Sequence, residues 1–104
     1  QCQIVTFLKH NLRDGSLLTS FPSGGGGVVR GAKLKRSGLV KGYPDLQIIF
    51  EGKYYGLEVK TEKGRLSDAQ KYIHKKLIEQ GAKVRVVRSE IDTLKAINDW
   101  NLIR

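Results

Sequence analysis

The chain has 104 residues, with 19 Lys and Arg against 10 Asp and Glu for a formal charge of +9, and one cysteine. A chain of this length buries about 60–70% of its extended surface, which supplies one modest core, so residues 1–104 read as a single domain and not as extended disorder. Cys2 has no partner for an internal disulfide and no run of about 18 apolar residues exists to cross a bilayer, which excludes a cross-linked scaffold and a membrane-spanning protein.

Ile4, Val5, Leu8 and Leu12 recur with helical spacing and Asp14-Gly15 supplies a stop, predicting an opening helix of about three turns. No basic-then-apolar leader precedes it, so an intracellular location is expected; with no Met in the chain, residue 1 is not expected to be the initiator. Ser16 to Phe21 reads as a strand.

Next come the Gly24 to Gly27 run and an acid-free stretch holding Arg30, Lys33, Lys35, Arg36 and Lys41. Residues 1–43 carry seven basic groups and one acid, for +6, and residues 44–104 carry twelve and nine, for +3. A basic glycine-containing loop suits a phosphate backbone, where each contact releases counterions without reading sequence; the plainer reading is a loop kept soluble by charge. An acidic membrane surface would also attract it, but no amphipathic basic helix accompanies it. Gly26 and Gly31 have Walker-loop spacing, yet Ala32 stands where the phosphate-binding Lys is required, so no nucleotide cofactor is expected.

Asp45 to Phe50 and Lys53 to Lys60 are two strands joined by Glu51-Gly52. Ser67-Asp-Ala-Gln70 fits a capping box, and Ala69, Tyr72, Ile73, Lys76 and Leu77 recur with helical period until Gly81 closes the helix. Val84 to Val87 is a short strand, and Ser89-Glu-Ile-Asp92 caps a last helix with Ile91, Leu94, Ile97 and Trp100 on one face. The order α-β-β-β-α-β-α predicts an α/β fold, one mixed sheet flanked by helices.

A two-residue turn at Glu51-Gly52 makes opposed positions sum to 103, which sets Asp45 opposite Glu58. Such pairs have Cβ atoms about 4.5–5.5 Å apart, so two carboxylates point into one small space. The same register puts Leu46, Ile48, Phe50, Tyr55, Leu57 and Val59 on an apolar face and Asp45, Gln47, Glu58 and Lys60 on a polar one. Two converging carboxylates with a Lys beside them suit metal-assisted hydrolysis; a surface Glu–Lys pair facing a strand Asp accounts for the same residues.

Other residues offer less. His10, His74 and Cys2 are too few soft ligands for a zinc site, and Cys2 reads as a small packing residue. His74, four residues after Gln70, could approach the active face by that spacing; the plainer reading is an ordinary, partly exposed helix residue. Tyr54, Tyr55 and Tyr72 can stack on bases but read as core or interface.

Three motifs, Gly42-Tyr-Pro-Asp45, Gly56-Leu-Glu58-Val-Lys60-Thr and Gly64-Arg-Leu-Ser67-Asp-Ala-Gln70, occur in one order. Together they resemble the VRR-NUC (virus-type replication-repair nuclease) domain of the PD-(D/E)xK superfamily, over nearly the whole chain. The resemblance implies a Mg²⁺- or Mn²⁺-dependent deoxyribonuclease, selective for branched DNA such as four-way junctions or flaps, of the kind used in repair and recombination in phage or bacteria. By it Asp45 and Glu58 are metal ligands with the Val59 carbonyl, Lys60 orients the attacking water, and Gln70 lies near metal and substrate while also serving the capping box with Ser67. Lys63 and Arg65 join Arg30, Lys33, Lys35, Arg36 and Lys41 as expected DNA contacts.

The resemblance also implies a homodimer, since two sites about a two-fold axis can cut symmetric branched DNA. One position departs from the family. The Glu common in its first helix corresponds here to Gln1, three residues before Ile4, and an amide coordinates a cation more weakly than a carboxylate. That departure keeps a non-catalytic DNA-binding relative as the alternative reading.

Overall fold

A computed structural model describes residues 2–20 and 40–104, the side chain of Cys2 excepted, so Gln1, Arg30, Lys33, Lys35 and Arg36 lie outside the described residues. The elements are α1 (Cys2–Asn11), β1 (Leu17–Ser20), β2 (Leu46–Phe50), β3 (Lys53–Val59), α2 (Asp68–Glu79), β4 (Lys83–Val87) and α3 (Glu90–Asp99). They follow the expected order and form one four-stranded sheet, β1-β2-β3-β4. The first three strands are antiparallel, and β4 joins β3 in parallel after the α2 crossover.

The hairpin has the register demanded by its turn, running from Leu46 opposite Leu57 to Phe50 opposite Lys53. Glu51 (φ 52°) and Gly52 (φ 75°) supply the two positive φ angles of a type I′ connection. Leu46, Ile48, Tyr55 and Leu57 accordingly face the core, where they meet Ile4 and Leu8 of α1, Leu12 just beyond it, Val87 of β4, and Ala96, Ile97 and Leu102. Each fully buried Leu or Ile contributes about 1.5–3 kcal/mol relative to exposure. The C-terminal residues lock onto the end of α1 and the chain just after it: Arg13 N donates to Leu102 O and Arg104 N to Asn11 O, both at 2.8 Å.

Both later helices keep the expected period but differ in phase. In α3 the inward stripe is Thr93, Ala96, Ile97 and Trp100, whereas Ile91 and Leu94 are 66% and 43% exposed. Thr93 and Ala96 are small enough to bring the helix close to the sheet, and Trp100 closes the stripe against Tyr55, with ring centroids 5.3 Å apart. In α2 the buried residues are Ile73 and His74, while Tyr72 is 59% exposed. This helix covers the other face of the sheet, and its inward stripe is Gln70, Ile73, His74 and Leu77.

The polar face of the hairpin is therefore not a solvated one. Asp45, Gln47 and Glu58 are 5%, 4% and 1% exposed, covered by α2 and by the turn that leads into β2. Among the described residues no helix is long and apolar enough to cross a membrane.

Candidate active site

The site is assembled where three connections meet the same end of the sheet: the turn before β2, the end of β3 and the first turns of α2. Gly42 (φ +103°) presses on α2 so closely that a Cβ there would lie 2.4 Å from the Ala69 carbonyl oxygen. Pro44 lies over Gly56, where a Cβ would come within 2.6 Å of Pro44 Cγ. The Gln47 amide, one register step along the same face, donates from Nε2 to the Pro44 carbonyl. This packing sets the direction in which Asp45 enters the sheet.

Asp45 Oδ2 accepts a hydrogen bond from Val59 N at 2.9 Å, across the end of the hairpin. Lys60 N donates in the opposite direction, to Val87 O of β4 at 3.0 Å. Strand alternation then turns the Val59 carbonyl toward the Asp45 side, where β2 has ended, and projects the Lys60 side chain onto the face of Glu58.

Glu58 has protein partners at both oxygens. Gln70 Nε2 donates to Oε2 at 3.3 Å, and His74 Nε2 lies 3.0 Å from Oε1. Burial pushes the Glu58 carboxyl up from its ordinary 4.5 to about 8; the hydrogen bond and negative charge of Asp45 add to the rise and the Lys60 ammonium opposes it. His74 moves the other way: burial lowers its pKa, with Asp45 opposing and Lys60 reinforcing. The metal-free site at neutral pH thus holds a protonated Glu58 and a neutral imidazole.

Gln70 closes the capping box with Ser67 and also reaches the acidic pair. Its Oε1 accepts from Ser67 N at 2.9 Å, its backbone N donates to Ser67 Oγ at 3.1 Å, and its Nε2 reaches Glu58. The capping box fixes the amide's orientation, and that orientation aims the donor at the carboxyl.

Lys41, Lys63 and Arg65 are exposed on the connections that flank the site. The loop carrying Lys63 is held by Arg88, whose Nη1 donates to the carbonyls of Thr61 and Gly64, each at 2.7 Å. Tyr55 is core, while the Tyr54 hydroxyl is buried with no hydrogen-bond partner among the described residues, and burial raises its pKa to about 12.

Three contributors escape the sequence reading. His74 is 7% exposed and bonded to Glu58, not a partly exposed surface residue, because α2 turns the Gln70–His74 row inward. Its i+4 spacing from Gln70 was the available signal. Gln47 had the period-two placement on the Asp45 face as its signal. Arg88 had none, since its partners lie 24 to 27 residues away in the chain.

Two carboxylates and a backbone carbonyl are hard oxygen donors of the kind that Mg²⁺ and Mn²⁺ prefer, so the residues present fit such an ion. Among the described residues no group of three or more His, Cys, Asp and Glu forms a metal-holding cluster, so the acidic pair stands without a third protein acid.

A mixed sheet that sets a Pro-Asp entry strand beside a Glu-x-Lys strand end defines the class as a PD-(D/E)xK nuclease fold. The model of the VRR-NUC domain matches residues 2–91, and the chain belongs to that family. A solved structure described as a VRR_NUC domain protein is 22% identical with a TM-score of 0.78, over 96% of this chain and 83% of its own. Another, a VRR_NUC domain, is 24% identical with a TM-score of 0.62, over 93% and 92%. No curated protein matches the sequence.

Proposed function

We propose that this chain is a divalent-metal-dependent deoxyribonuclease that hydrolyses phosphodiester bonds, with branched DNA such as four-way junctions or flaps as its preferred substrate. The observation that carries the reading is the convergence of Asp45 and Glu58 at the end of one hairpin, with Lys60 on the same face. Asp45, Glu58 and the Val59 carbonyl are the residues that would hold Mg²⁺ or Mn²⁺. When bound, such an ion supplies a Lewis acid for the phosphate and an acidified water as nucleophile.

The remaining work falls to the protein. Lys60, close enough to lower the Glu58 pKa, orients the water and offsets the charge that develops on the phosphate. Gln70 holds the Glu58 carboxyl at the edge of the substrate path. Lys41, Lys63 and Arg65, together with Arg30, Lys33, Lys35 and Arg36, bind the phosphate backbone on either side. A two-fold pair of such sites suits symmetric junctions, and a homodimer is part of the proposal. A monomeric mass at micromolar concentration would remove that part.

The second reading, a DNA-binding relative without activity, rests on Gln1 in place of the Glu common to the family's first helix. One experiment separates them: cleavage of labelled four-way, flap and linear duplex DNA in Mg²⁺, Mn²⁺ or EDTA by this chain, Gln1→Glu and Glu58→Ala. Metal-dependent cutting that disappears only in Glu58→Ala supports the nuclease, and a gain in Gln1→Glu assigns the weak point to residue 1. Retained DNA binding with no cutting by any version would favour the non-catalytic reading.

A further inference from the structure

We infer that His74 is a positioning residue for the site, a donor on α2 that fixes the orientation of the Glu58 carboxylate toward Asp45 and so sets how tightly that carboxylate takes a divalent cation. The inference rests on the metal-dependent reading above. It starts from the soft torsion of the Glu58 side chain: the last rotation of a glutamate is broad and nearly two-fold, so packing of the methylenes leaves the carboxylate plane undefined. Hydrogen bonds must define it. Gln70 and His74 stand four residues apart on one face of α2, and each meets a different oxygen of the same carboxyl, Oε2 at 3.3 Å and Oε1 at 3.0 Å.

Packing alone does not account for a histidine here. His74 is 7% exposed and its neighbour in the stripe, Ile73, is apolar, so a leucine would bury as well as the imidazole does. A leucine would leave Glu58 Oε1, on a residue 1% exposed, without its α2 partner. With Nε2 protonated the ring donates to Oε1, and with Gln70 it braces the carboxylate from the helix side, leaving the opposite edge to face Asp45. Groups that brace a metal-binding carboxylate in this way typically change metal affinity by about 10–100-fold when removed.

The test is Mn²⁺ binding by calorimetry in the absence of DNA, on the whole chain, for wild type, His74→Gln, His74→Asn and Glu58→Gln. A Gln amide nitrogen reaches the position of Nε2 and an Asn amide falls short, although both are polar and uncharged. The expected result is affinity within about threefold of wild type for His74→Gln and about tenfold weaker for His74→Asn. On cleavable DNA, His74→Asn should lower kcat with little change in KM. Equal Mn²⁺ affinity in wild type, His74→Gln and His74→Asn would overturn the role while leaving the metal site standing. Wild-type binding no tighter than that of Glu58→Gln would overturn the metal reading and this inference with it.

A measurement that leaves position 74 intact guards against a variant that fails to fold. The imidazole ¹⁵N spectrum should show His74 in the Nε2–H form and should change at that nitrogen in Glu58→Gln, with exposed His10 as the internal reference. An Nδ1–H ring at His74 would refute the donor assignment.

Discussion

The backbone of Gly42 lies against the carbonyl of Ala69, with room for no side-chain atom between them: a Cβ at Gly42 would sit 2.4 Å from that oxygen and 2.9 Å from Ile73 Cγ1. This contact joins the turn that delivers Asp45 to the helix that delivers Gln70 and His74. Gly42→Ala combines the clash with a φ of +103° and should cost more than about 2 kcal/mol, lowering the thermal midpoint by roughly 8 °C or more. Gly15→Ala is the control, with φ +92° but nothing within 4 Å of the added carbon, and should cost about 1 kcal/mol. Equal midpoints for the two variants would mean that the turn yields to the helix without loss.

Glu58 should make the metal-free protein less stable as pH rises. Its folded value of about 8 lies above the ordinary 4.5, so between these limits the native state keeps a proton that the unfolded chain releases. Stability then falls across that window and levels off above it. Thermal melts in EDTA from pH 5 to 8.5 should show this decline, and Glu58→Gln, neutral in both states, should flatten it. A decline unchanged in Glu58→Gln would assign it to other groups.

The same proton competes with a cation. Below pH 8 each unit of acidification should weaken Mn²⁺ binding by about tenfold, because one proton must leave Glu58 for each ion bound. Calorimetry at pH 6, 7 and 8.5 measures the slope; pH-independent affinity would place the bound ion away from Glu58.

Arg88 ties the chain after Lys60 to the end of β4. Removing its two short bonds to Thr61 O and Gly64 O frees a loop bearing Lys63 without touching the core. In Arg88→Ala, hydrogen exchange at Gly64 N, itself bonded to Thr61 O at 3.1 Å, should quicken, and DNA affinity should drop while the global midpoint moves by less than about 4 °C. Unchanged exchange at Gly64 would show that the loop holds its shape unaided.

The acid-free stretch makes a separate prediction. Neutralising Lys33, Lys35 and Arg36 together should weaken DNA binding and lower the slope of log affinity against log salt by roughly two to three units, one for each lost phosphate contact. A slope that does not move would take these residues out of the interface.

Local chemistry was enough to define much of the molecule. Glu51-Gly52 demanded a two-residue turn, the turn demanded a register summing to 103, and that register brings Asp45 to Glu58 without help from any tertiary contact. Ser67 and Gln70 marked the start of α2 because a capping box needs only residues three apart. The helical repeats gave period without phase. An amphipathic stripe can rotate by one position at little cost in its own hydrophobicity, and what it packs against chooses the rotation. For α3 the choice was Thr93, Ala96 and Ile97 over Ile91 and Leu94, because small residues allow close approach to the sheet. For α2 the choice turned His74 inward onto Glu58. Sequence thus determined the strands, the hairpin and the acidic pair, whose causes are local. Only the tertiary structure decided that the pair is buried, that an imidazole and an amide hold Glu58 from one helix, and that Arg88 braces the loop beside it, because those partners are distant in the chain and meet only when the helix docks.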